Sequence, residues 1–222
     1  MREYYDLKFD YLEKIDQRKI IVLAGSVGRF SIRCETIEVL TETPCSNMSL
    51  TIHMPIDYQF NLIKEYLNEG DLIYLPYEYE ILRRKKEDMS AFNDLPYFVA
   101  YDKKYLFKLD TKRFLSALFY FDIRFLISGV GEMILKTMGI NKRFTIDTMT
   151  TQGDESKHTL ERGKKYQEYI QSLEWQKPNL ESYSINSYNG EILSEFMKWA
   201  KTRNIQVIGG LPPTFNDETI DD

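Results

Sequence analysis

Apolar residues along the chain fall into short continuous runs separated by segments with a helical period. Ile20-Ile-Val-Leu23 is a run of mainly β-branched residues, as a strand covered on both faces requires. Cys45 to Leu50 and Asp71-Leu-Ile-Tyr-Leu-Pro76 read as second and third strands, and Ile205-Gln-Val-Ile-Gly-Gly-Leu211 as a fourth. Between them the spacing predicts helices. Ser31 to Leu40 carries Cys34, Ile37 and Leu40 and is stopped by Glu42-Thr-Pro44, because proline removes a donor and restricts the residue before it. Asp57 to Leu67 carries Phe60, Ile63 and Leu67 and stops at Gly70; Glu191 to Thr202 carries Ile192, Leu193, Phe196, Met197 and Ala200. A looser apolar face predicts a further helix from Arg2 to Asp16. Strands joined by single helices imply right-handed crossovers and a parallel sheet.

The alternation stops at about residue 77 and resumes at about 190. Between these points lie helical segments, such as Lys112 to Met138, and a polar stretch from Thr148 to Lys157 that reads as a loop. We read 1–222 as a single α/β domain with a mainly helical insertion at about 77–190, since the strand-helix pattern returns afterwards.

Composition narrows the classes. With 43% hydrophobic and 28% charged residues the chain is of ordinary globular make-up, and its formal charge of −5 argues against nonspecific nucleic-acid binding, which needs a basic face. The basic run Arg83-Arg84-Lys85-Lys86 is followed at once by Glu87 and Asp88 and reads as a solvated helix end. Cys34 and Cys45 are too few for a metal site alongside only two histidines, His53 and His158, and read as reduced structural residues. No metal or other cofactor is expected. The first twenty residues are charged throughout, so no signal peptide is visible; the apolar stretch Phe114 to Ile127, broken by Asp122 and Arg124, is too short to span a bilayer. It reads as a packed helix, with a peripheral membrane or protein partner as the other reading.

Chemistry concentrates in Leu23-Ala-Gly-Ser-Val-Gly28, where a strand enters a glycine turn and then a helix. Open parallel sheets place ligands at the carboxyl ends of their strands, and a helix start favours anions. Two roles stay open for Ser26: a turn or cap serine bonded to a following N–H, or a nucleophile. A nucleophile needs a base; His53, just after the second strand on the same side of the sheet, is the candidate. Glu78, just past the third strand, is a candidate substrate contact. Gly25-x-x-Gly28 also hints at phosphate binding, without the full dinucleotide fingerprint or a P-loop lysine.

The turn Val22 to Ser31, the segment Asn47-Met-Ser49, Gly70-Asp-Leu-Ile-Tyr-Leu-Pro-Tyr-Glu-Tyr79 and the late Leu211-Pro-Pro213 turn, in this order, resemble the SGNH, or GDSL-like, hydrolase superfamily, and within it the branch associated with envelope polysaccharide. The resemblance covers roughly residues 19 to 80 and 190 to 215. It implies a flavodoxin-like three-layer sandwich with strand order 2-1-3-4 and the fifth strand missing. It also implies Ser26 as nucleophile, Gly25 in its turn, and Asn47 as a donor at the second strand's end, with Val27 and Ser49 at neighbouring oxyanion or substrate-binding positions. The Asp-x-x-His pair of such enzymes does not occur in the chain, Ser49 stands where glycine is usual, and Asp154-Glu-Ser-Lys-His158 has a different spacing.

The function implied is an ester hydrolase or O-acyltransferase acting on acylated cell-envelope carbohydrate, incomplete or inactive as written. The alternative is a non-catalytic binding or assembly module that keeps the fold. The visible sequence points to the cytoplasm, the resemblance to the envelope.

Overall fold

The computed structural model describes residues 2–51, 54–78, 81–82, 97–98, 102–119, 127, 130–131, 133–135, 137–139, 149–156 and 187–210. Its centre is a four-stranded, all-parallel sheet in the order β2-β1-β3-β4, with β1 Ile20–Val22, β2 Cys45–Asn47, β3 Leu72–Leu75 and β4 Gln206–Gly209. The helices are α1 Arg2–Leu12, α2 Ser26–Ser31, α3 Cys34–Thr41, α4 Ile56–Ile63, α5 Lys103–Lys108, α6 Thr111–Phe119 and α7 Tyr188–Thr202, with a 3₁₀ turn at Lys64–Tyr66. This is the expected α/β architecture and strand order.

Alternation along the strands sorts side chains to the two faces. Ile21, Leu23, Ile73 and Leu75 pack against Ile56, Phe60 and Ile63 of α4, Phe196 and Ala200 of α7, and Leu12 of α1. Phe60 and Phe196 stack with ring centroids 3.9 Å apart, which seats α7 on α4. Val22 and Cys45 face the other way, with Ile20 and Tyr74, toward Cys34, Ile32 and Ile37. The handedness rule explains the sorting. Going from β1 to β2 moves one way along the sheet, whereas β2 to β3 and β3 to β4 move the other way, so α3 lies on one face and α4 and α7 on the opposite one.

Two sequence expectations are corrected. The helix expected from Ser31 to Leu40 is two helices, α2 and α3, separated by extended backbone at Ile32 and Arg33. Cys34 and Cys45, expected to be reduced, form a disulfide with Cα atoms 5.0 Å apart. Helix α3 ends on Glu42 in the left-handed conformation (φ 51°), which turns the chain back into β2 and returns Cys45 to Cys34. That reversal is tertiary and cannot be seen in the spacing of two cysteines.

From the insertion, α5 and α6 are tied to the sheet domain through a buried arginine. Arg113 Nη1 donates to Asp57 at 3.0 Å and to Tyr188 Oη at 2.9 Å, while Tyr105 Oη donates to both Asp57 oxygens at 3.0 and 3.1 Å. Arg83–Lys86, the segment Asp122–Phe125 and the Pro212-Pro213 turn lie outside the described residues. Among the described residues β4 pairs with β3 alone, and no helix is long and apolar enough to cross a membrane.

Candidate functional site

The carboxyl ends of β1 and β3 are adjacent, and the strand order reverses between them, so the turn after β1 lies at the topological switch point of the sheet. Beyond Val22 the chain continues through buried Leu23 and Ala24, with Leu23 N–H donating to Tyr74 O at 3.0 Å. Gly25 then caps α2, and Ser26 is the first helical residue. The cap role left open for the serine is therefore taken by the glycine before it, and no side chain of the capping residue closes the helix end.

Glu78 closes it instead. Its carboxylate, 5% exposed, accepts from Gly25 N–H at 3.0 Å and Val27 N–H at 2.7 Å, one oxygen to each. A carboxylate is favoured there by unpaired amides and by the sign of the helix dipole. The two amides that a phosphate would use are thus occupied by a side chain of the protein. Ser26 lies between them, partly exposed, and among the described residues neither its N–H nor its Oγ has a hydrogen-bond partner.

Gly28 is required by close approach. A Cβ there would lie 2.5 Å from both Ala24 Cβ and Ser49 Oγ, so α2 rests directly on the chain leaving β1 and β2. Ser49, expected near the oxyanion position, is buried under this contact, and its Oγ lacks a partner among the described residues. Asn47 is also engaged. Its Nδ2 donates to Gly28 O and Ile32 O, both at 3.1 Å, and to Asp154 Oδ1 at 3.0 Å, while its Oδ1 accepts from Ser49 N–H. The amide holds the α2–α3 junction together.

The polar stretch expected as a loop is a tight turn over the edge of β2, closed by a bridge between Met149 and Glu155. Gln152 O accepts from Asn47 N–H at 2.8 Å, extending the pairing of β2 by one strand-like contact. Asp154 Oδ2 accepts from Glu35 N–H at the start of α3, and Glu155 pairs with Arg29 of α2 at 2.8 Å. Beneath the turn is Lys8, fully buried, whose Nζ donates to the carbonyls of Asn47, Ser49 and Gly153. Burial, with the nearby Arg29 guanidinium, pushes its pKa down to about 7, against the opposing pull of Asp154 and Glu155.

Sequence reasoning missed Lys8, Arg29 and the docking of the 149–156 turn on β2. A lysine on an amphipathic helix looks solvated, and the one available signal was Gly153 between Gln152 and Asp154. Of the expected site residues, the fold gathers Gly25, Ser26, Val27 and Glu78 at one place and puts Asn47 and Ser49 behind α2. His53 and His158, the chain's two histidines, lie outside the described residues. Among the described residues no group of His, Cys, Asp and Glu side chains is arranged to hold a metal ion. Compared with known proteins, the chain matches no family model, no curated protein and no solved structure.

Proposed function

We propose that the protein is an SGNH-like ester hydrolase or O-acyltransferase acting on acylated cell-envelope carbohydrate, with Ser26 as nucleophile. The observation carrying this reading is a serine at the switch point of a parallel sheet, at the first position of a helix, whose N–H and Oγ are free of partners among the described residues. In such a reaction Oγ attacks the acyl carbonyl while a base takes its proton. The sugar hydroxyl then leaves with that proton, and water or a second sugar hydroxyl accepts the acyl group. Ser26 N–H would face the developing oxyanion. His53 is the base this reading requires. The buried Cys34–Cys45 disulfide favours the envelope over the cytoplasm, because disulfides persist in oxidising compartments.

The test is acetate release from O-acetylated oligosaccharides. The wild-type protein is expected to release acetate, and Ser26→Ala to lose this activity by about a thousandfold. Equal release by both proteins contradicts the assignment.

A second reading, a non-catalytic binding or assembly module, is favoured by the engagement of Asn47 Nδ2 with Gly28, Ile32 and Asp154, which leaves no side-chain amide donor facing a substrate from that position. It is the better account if acetate release is absent while the folded protein still retains acylated polysaccharide on a column.

A further inference from the structure

We infer that Glu78 is a positioning residue for Ser26 and does not contact substrate; this inference rests on the reading of Ser26 as nucleophile. Three consecutive amides follow the end of β1 at Gly25, Ser26 and Val27. The buried carboxylate of Glu78 takes the first at 3.0 Å and the third at 2.7 Å, and leaves the second. A carboxylate bridging two amides fixes the direction of the peptide planes between them, so the Ser26 N–H, free of partners among the described residues, and the Cα–Cβ bond that carries Oγ are held in a set relation to each other. Both bonds are charge-assisted, that to Gly25 buried and that to Val27 partly buried, which makes them strong restraints on the turn.

The restraint also crosses the switch point. Glu78 follows β3 and Gly25 follows β1, and the ladder from Ile20–Leu72 to Val22–Tyr74 fixes the two strands in register. Ser26 is therefore positioned relative to β3 as well as β1. Of the amides at Gly25, Ser26 and Val27, the carboxylate takes the outer two and leaves that of Ser26 to an oxyanion or an acyl oxygen arriving at the turn.

Glu78→Gln is the informative change because it keeps the shape and removes one of the two acceptors; an NH₂ group then faces an N–H. The probe is a fluorophosphonate, in which Ser26 Oγ forms a bond to phosphorus, fluoride leaves, and the hydroxyl proton passes to a base or to solvent. With wild-type protein labelled at Ser26, Glu78→Gln is expected to label at least about tenfold more slowly at an unchanged folded fraction. Amide hydrogen exchange supplies an independent reading on the wild-type protein: Gly25 and Val27 should be protected and Ser26 should exchange fast, with protection of the two lost in Glu78→Ala. Labelling of Glu78→Gln at the wild-type rate, or unprotected Gly25 and Val27 amides in the wild type, overturns the positioning role alone. A wild-type protein that is not labelled while those amides are protected overturns the nucleophile assignment and leaves Glu78 as a helix cap.

Discussion

At the scale of single residues, the contrast between Ser26 and Lys8 shows what a sequence can display. Ser26 was legible because its neighbours advertise it: a β-branched run, two glycines and a change of period place a serine at a strand's carboxyl end. Lys8 was not, since nothing local separates a lysine whose ammonium meets three buried carbonyls from one that extends into water. Its position also has a measurable consequence. With a pKa of about 7 in the folded protein and about 10.4 when unfolded, the folded state binds fewer protons between these values, so stability rises with pH across that window and the penalty is complete below it. Urea midpoints should therefore increase from about pH 7 to about pH 9, the unfolding free energy rising by at most about 1.4 kcal/mol per pH unit. Lys8→Met should lower stability and abolish the slope. A midpoint that stays flat in the wild type contradicts this account of Lys8.

At the scale of elements, the strands and α4 followed from periodicity, whereas the start of α2 did not. Local signals put the helix start at Ser31, because the acceptor that satisfies the first amides of α2 comes from Glu78, some fifty residues away, and its break at Ile32 is held by Asn47 of β2. The 149–156 segment was legible as a loop but its docking was not, for the same reason: its structure depends on partners in α1, α2, α3 and β2. Gly153 makes the dependence testable. It has φ +89°, and a Cβ there would lie 2.6 Å from Asn47 O, so the residue meets both a left-handed backbone and a wall. Gly153→Ala should cost about 1–3 kcal/mol in denaturant unfolding, and a change within about 0.5 kcal/mol would show that the turn does not dock on β2. On the opposite side of the sheet, Phe196→Ala removes the ring stacked on Phe60 and should cost about 3–5 kcal/mol. That cost would be far smaller if α7 were not seated on α4.

Across the whole molecule, the parallel sheet and its 2-1-3-4 order were readable because strand-helix alternation and the handedness of crossovers leave few alternatives. The disulfide was not, because pairing depends on how α3 folds back rather than on the separation of 11 residues. It predicts that the native protein shows no free thiol to Ellman's reagent until a reductant is added. In the chain-entropy account, reduction should then cost about 3 kcal/mol of stability. Two reactive thiols in the unreduced, unfolded chain would contradict the bond.

The fold as a whole delivers Ser26, with its hydroxyl and amide free of partners among the described residues, to the point where the strand order reverses. Peptide mapping by mass spectrometry after treatment with a fluorophosphonate tests this most directly. A single adduct is expected on the peptide containing Ser26, absent from Ser26→Ala. A folded wild-type protein that remains unmodified, or an adduct on another serine that persists in Ser26→Ala, would contradict it.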